Sequence, residues 1–139
     1  MLSNRRDIRI EWGDCDPAGI VYYPRYFEMF DANTTALFER ALGMSKFAFL
    51  KAFDSLGYPM VDSRARFLLP ARYGDDVVIE TTIAAIKLSS FDVQHRLTRD
   101  GKLAVEGFDT RVWVGRDPAD PERIKAKPLP DEIVAKLKG

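Results

Sequence analysis

Residues 8 to 12 alternate, with Ile8, Ile10 and Trp12 interleaved by Arg9 and Glu11. That two-residue period predicts a strand with one buried face. The period changes at Pro24. From there to about Leu42, Phe27, Phe30, Thr34, Leu37, Phe38 and Ala41 recur at three- and four-residue spacings, with Arg25, Glu28 and Arg40 opposite. The spacing predicts one long helix with an apolar stripe. Pro24 suits its first turn and Gly43 its end. Nineteen residues give about five turns, enough for a sheet to wrap around. Asp31 falls inside the stripe. It is either an acid at the stripe's edge, reaching water or a backbone donor, or an acid that faces a ligand.

Residues 44–57 carry Phe47, Phe49, Leu50, Phe53 and Leu56, which suits a second, shorter helix and a loop closing over the core. Residues 60–71 read as a strand interrupted at Pro70, and 72–76 as a turn by composition. Residues 77–86 are β-rich. Phe91, Val93, His95 and Leu97 then alternate with polar neighbours, Arg99 to Lys102 makes a hairpin turn, and 103–114 supply the last long strand. From Gly115 the chain turns rich in proline and charge, which predicts an irregular surface excursion. Ile133, Val134 and Leu137 fit one short amphipathic helix. A strand, a helix, then four strands with short turns is an α+β order, and 139 residues make one domain, 1–139.

Charge narrows the function classes. Lys plus Arg number 21, as do Asp plus Glu, so nothing favours nucleic acid or an anionic membrane as partner. One cysteine and one histidine argue against a disulfide framework or a dedicated zinc site. The charged N-terminus has no apolar leader and no run reaches the length of a membrane span, so a soluble cytoplasmic protein is the expectation. His95 sits mid-strand among apolar neighbours and reads as structural; there is no nucleophile elbow and no glycine-rich phosphate loop. Cys15 lies between Asp14 and Asp16, whose charge discourages a thiolate, so it reads as a packing residue.

The carboxylates remain. Residues 11–26, EWGDCDPAGIVYYPRY, connect the first strand to the long helix. Asp16 precedes a buried apolar run, where an unpaired acid is costly. It is either an Asx-turn or helix cap, or a nucleophile or general base. Backbone N–H groups around Tyr22 and Tyr23, at the positive end of the helix, are candidate oxyanion donors.

The segment Gly13 to Pro24, followed by Tyr26 and Asp31, closely resembles the hot-dog-fold acyl-CoA thioesterases of the 4-hydroxybenzoyl-CoA thioesterase type. The resemblance spans most of the chain and weakens after about Asp117. It implies an antiparallel sheet wrapped around a long central helix. It implies hydrolysis of an aromatic acyl-CoA, with attack by Asp16, carbonyl polarisation by the Tyr23 amide, and Tyr23, Tyr26 and Asp31 lining the acyl pocket. Asp14 is then a loop-fixing residue. Relatives carry a basic cluster after the third strand for the nucleotide phosphates. Here that stretch keeps Lys87, Ser89 and Ser90, with Arg72 or Arg99 as possible replacements. No metal or resident cofactor is implied, since coenzyme A arrives as part of the substrate, and a homodimer or tetramer is expected. The alternatives are a thioesterase for short aliphatic acyl-CoA or acyl-carrier-protein thioesters, and a non-catalytic acyl-CoA binding module.

Overall fold

The computed structural model describes residues 1–139. Its elements are β1 (Ser3–Arg9), α1 (Pro24–Leu42), α2 (Lys46–Ala52), β2 (Met60–Phe67), β3 (Asp76–Ile86), β4 (Ser90–Arg99), β5 (Lys102–Val112), β6 (Val114–Asp117), β7 (Asp120–Ala126) and α3 (Asp131–Lys138). Strands β1-β3-β4-β5-β2, in that order, form one antiparallel sheet, and α1 lies across it against β1 and β3. This is the α+β arrangement that the resemblance implies. No helix is long and apolar enough to cross a membrane.

α1 has the bounds expected from its pattern. Gly43 ends it in the left-handed conformation, φ 68°, with its N–H on the Glu39 carbonyl. Its buried stripe is Tyr26, Phe30, Asn33, Thr34, Leu37 and Phe38. Phe27 and Ala41 are only half-buried, so the stripe is rotated from the one the apolar residues alone define. Asn33 can be buried because its amide is fully engaged. Asn33 Nδ2 donates to Thr81 Oγ1 at 2.7 Å, and its Oδ1 accepts from Asn4 at 2.7 Å.

That asparagine opens a polar line crossing every strand of the sheet, buried from β1 to β5 and ending at the exposed Ser63 of β2. The Thr81 hydroxyl, already accepting from Asn33, is hydrogen-bonded to His95 Nδ1 at 2.8 Å. His95 Nε2–H then donates to Asp109 Oδ2 at 2.7 Å, and Ser63 donates to Asp109 Oδ1 at 2.8 Å. His95 is therefore structural, as its neighbours predict. Phe30 stacks on its ring, centroids 4.5 Å apart and planes 5° from parallel. Gly107 makes room for that stack, because a Cβ there would lie 2.7 Å from the Phe30 ring.

Burial pushes the Asp109 carboxyl up, but the hydrogen bond and charge of His95, the hydrogen bond from Ser63 and the charge of Arg111 outweigh it and hold it below the ordinary range. As pH falls, the unfolded chain takes up this proton first. Stability from Asp109 is thus complete above about pH 4, the ordinary carboxylate value, and is lost as pH drops through the depressed folded value. Asp109→Asn should flatten the acid limb of a urea-midpoint series below about pH 4; curves parallel to wild type would contradict this.

Four expectations are corrected. β1 starts at Ser3 and stops at Arg9. Trp12 is 70% exposed, in a 3₁₀ turn over Trp12–Asp14 that begins once Ile10 has filled the last inward position. β2 ends at Phe67 because the Leu68 and Leu69 N–H groups both turn onto the Ala104 carbonyl. β5 ends at Val112. The excursion after Gly115 is not irregular: β6 and β7 pair as a hairpin. Pro118 and Pro121 stand outside its paired register, so neither removes a ladder donor. α3 buries Ile133 and Leu137 as its pattern predicts.

Candidate active site

The loop before α1 is strapped down from both sides. The Asp16 N–H donates to the Ile20 carbonyl, Gly19 donates back to the Asp16 carbonyl, and Val21 donates to the Ala71 carbonyl, each at 2.9 Å. Gly19 sits at φ 80°, where a side chain would be strained. Asp14 Oδ2 accepts the Glu11 N–H at 2.9 Å, so this acid fixes the loop.

Asp16 makes an Asx-turn without engaging its whole carboxylate. Its Oδ1 accepts the Ala18 N–H at 2.8 Å, an Asx-turn. Its Oδ2 has no protein partner, and the residue is half-buried. One oxygen holds the geometry while the other is free to react.

The start of α1 has a single free donor, not two. The Tyr22 N–H is committed to the Asp14 carbonyl at 2.8 Å. Arg25 and Tyr26 bond back to the Tyr22 and Tyr23 carbonyls at 2.8 and 3.1 Å, and Pro24 has no N–H. The Tyr23 N–H alone has no acceptor, and it stands at the positive end of a 19-residue helix.

Tyr23 is 59% exposed, and its ring meets Phe67 edge-on at 6.4 Å. Tyr26 is buried and its ring lies 5.8 Å from Phe67. The Tyr26 hydroxyl accepts the Ala71 N–H at 3.3 Å. Burial pushes this phenol up, opposed by that bond. Tyr26 and Phe67 border an apolar cavity of about 220 Å³ with Val21, Leu69 and Pro70. Phe67 was not anticipated. Its signal is the apolar run Phe67-Leu68-Leu69 just before Pro70, which reads as core yet leaves Phe67 51% exposed.

Asp31 does not border this cavity. It lies at the edge of the stripe, its side chain 53% exposed, paired with Arg111 Nη2 at 2.5 Å. Its partner is a buried cation, neither water nor a backbone donor, and Arg111 carried no sequence signal.

The structure does not bring Lys87, Ser89 and Ser90 to Asp16 within one chain. Lys87 and Ser89 lie in the turn between β3 and β4 and Ser90 opens β4, whereas Ile10 and Asp75, beside the motif loop, adjoin the opposite end of β3. The eleven residues of β3 set its two ends about 33 Å apart. Lys87 Nζ also faces Asp92 at 3.6 Å. Arg72 and Arg99 are at the Asp16 end: Arg72 bridges Ile20, and Arg99 donates to the Pro70 carbonyl at 2.6 Å. Cys15 is half-buried, with its thiol pushed up by burial and then by Asp14 and Asp16, so it is a poor nucleophile. No group of three or more His, Cys, Asp or Glu side chains is placed to hold a metal ion.

Comparison with known proteins places this geometry. The thioesterase-like superfamily model matches residues 10–137. The 4-hydroxybenzoyl-CoA thioesterase of Pseudomonas sp. (strain CBS-3) is 33% identical over 132 residues, 91% of each chain. The crystal structure of that enzyme superposes with a TM-score of 0.88 at 32% identity, covering 98% of this chain and 99% of the other. The 1,4-dihydroxy-2-naphthoyl-CoA hydrolase of Synechococcus sp. (strain WH7803) is 24% identical over 136 residues, 90% of this chain and 82% of its own.

Proposed function

Since the chain belongs to the thioesterase-like superfamily and is a thioester hydrolase, we propose that it cleaves an aromatic acyl-CoA of the 4-hydroxybenzoyl-CoA kind to the free acid and coenzyme A. One observation carries the chemistry. The free Oδ2 of Asp16 and the unpartnered Tyr23 N–H belong to one continuous, rigidly strapped segment. Asp16 attacks the thioester carbon or takes a proton from the attacking water. The Tyr23 amide holds the developing oxyanion with the helix dipole behind it. Coenzyme A leaves as its thiol, and no resident cofactor takes part.

The acyl group is read from α1. Tyr23, Phe27 and Asp31 follow one another at four-residue spacing, and eight residues of helix rise about 12 Å. With a hydrogen bond of about 2.8 Å at each end, the remaining gap of about 6 Å suits one ring with a para hydroxyl. The carbonyl oxygen would sit on Tyr23 and the hydroxyl on Asp31. A butyryl group offers no donor to Asp31. Free-thiol release from 4-hydroxybenzoyl-, benzoyl-, 1,4-dihydroxy-2-naphthoyl- and butyryl-CoA tests this. The kcat/KM for 4-hydroxybenzoyl-CoA should exceed those for benzoyl- and butyryl-CoA by at least ~10-fold. Equal butyryl turnover would favour the aliphatic alternative; binding without thiol release would favour a binding module.

The strip from Tyr23 to Asp31 is open in a single chain, and β2 leaves one sheet edge unpaired along an exposed strand. A protein avoids such an edge or covers it. Antiparallel addition of a second copy would cover the strip and reverse the ends of the sheet. That brings Lys87, Ser89 and Ser90 of one copy toward the Asp16 end of the other, where they could meet the nucleotide. A homodimer, or a tetramer of such pairs, is the assembly we expect. Light scattering should give two or four chain masses; a stable, fully active monomer at micromolar concentration would refute it.

A further inference from the structure

The ion pair between β5 and α1 is more than packing. Arg111 is 5% exposed. Its Nη1 donates to the Tyr58 carbonyl at 3.3 Å and its Nη2 to Asp31 Oδ1 at 2.5 Å. Its guanidinium lies 5.4 Å from the Tyr58 ring centroid, and its Nε is buried without a partner. A guanidinium so placed has one position, and it has no other carboxylate in hydrogen-bonding contact. Asp31 is the mobile member: a short acid on an exposed helix face, which unaided would sample several rotamers. The pair fixes it through Oδ1. Its Oδ2 keeps no protein hydrogen bond, and the side chain stays 53% exposed.

We infer that Arg111 is a positioning residue: it orients Asp31 as a fixed hydrogen-bond acceptor, so that the site prefers acyl rings carrying a neutral hydroxyl donor. The inference rests on the proposed contact between Asp31 and the ring. An ionised carboxylate only accepts, so it rewards a hydroxyl on the ring and offers no donor to a ring carboxylate. Neutralisation by Arg111 also removes any net pull on a cationic ring substituent. An acceptor oriented in advance loses less entropy on binding, and an unfilled polar site discriminates against an analogue without the hydroxyl.

The test is the kcat/KM ratio of 4-hydroxybenzoyl-CoA to benzoyl-CoA in wild type, Arg111→Met and Arg111→Lys. Methionine replaces a buried cation with an apolar side chain of similar length, and no buried charge is left behind, because the half-exposed Asp31 turns to water. In Arg111→Met the ratio should fall at least ~5-fold through a higher KM for the hydroxylated substrate, with benzoyl-CoA kinetics within about 2-fold of wild type. Arg111→Lys keeps the charge without the fork, so its ratio should lie between the two. If Arg111→Met does not fold, Arg111→Lys decides alone, and a wild-type ratio there overturns the inference. So does an unchanged ratio in folded Arg111→Met, or an equal loss on both substrates. A wild-type enzyme that is active without preferring the hydroxyl removes the ring contact and this inference together, whereas a strong preference indifferent to Arg111 removes only the inference.

Discussion

Asp16→Asn is expected to lower kcat by at least ~10²–10⁴-fold, the worth of a positioned acid–base group. The substitution keeps the turn, because an asparagine Oδ1 can accept the Ala18 N–H as Asp16 Oδ1 does. What it removes is the charge on the oxygen that has no protein partner. KM should change far less, since binding rests on the ring and nucleotide contacts. The melting temperature should hold, because Pro17, Gly19 and the bonds to Ile20 and Ala71 are untouched. The chemical role follows from one turnover with enzyme in excess in ¹⁸O-labelled water. A nucleophilic Asp16 forms an anhydride, and water attacking its aspartyl carbonyl releases a first product carrying unlabelled enzyme oxygen. A general base delivers label directly into the product acid, as would water attacking the acyl carbonyl of the anhydride, so unlabelled product is the diagnostic outcome. A variant with near-wild-type kcat on its best substrate would falsify both roles.

Asp31→Asn is expected to cost both stability and selectivity. It leaves Arg111, 5% exposed, without its counter-charge. Removing one partner of a fully buried pair costs about 3–5 kcal/mol; with Asp31 half-exposed, about 2–3 kcal/mol is the corresponding expectation. For a domain of this size that lowers Tm by on the order of 6–12 °C. Arg111→Met should be nearly neutral in Tm, and the double variant should recover most of the loss, which a double-mutant cycle reads directly. Activity on 4-hydroxybenzoyl-CoA should fall by a further ~1–3 kcal/mol of transition-state binding, the scale of one hydrogen bond to a charged group. An Asp31→Asn protein with wild-type Tm would mean that the buried guanidinium is satisfied elsewhere.

The sequence displays the skeleton well and the polar interior poorly. The long helix was legible because its apolar spacing, Pro24 and Gly43 agree. Strands β3, β4 and β5 were legible because alternation and the turn at Asp100-Gly101 agree. The β6–β7 hairpin was hidden by its prolines, whose places outside the register only the fold shows. Asn33, Thr81 and Asp109 were illegible as core residues because their burial depends on partners distant in sequence. In the site, Asp16 and Tyr23 stand out because the motif is contiguous. That Tyr22 lacks a free amide is fixed by Asp14 through the loop's folding. Arg111 arrives from a strand remote in sequence with no local pattern to mark it, and the apolar run that holds Phe67 reads as core rather than as part of a site. The distance between Lys87 and Asp16 was invisible for the same reason: it is the length of a strand, not a number of residues between motifs.

A crystal structure of the Asp16→Asn protein with intact 4-hydroxybenzoyl-CoA would decide whether Asp16, Tyr23 and Asp31 meet the substrate as proposed. The expected arrangement has the thioester carbonyl oxygen within about 3 Å of the Tyr23 nitrogen, the ring along Phe27, and the para hydroxyl on Asp31 Oδ2. A carbonyl turned away from Tyr23, or a ring that never reaches Asp31, would contradict it.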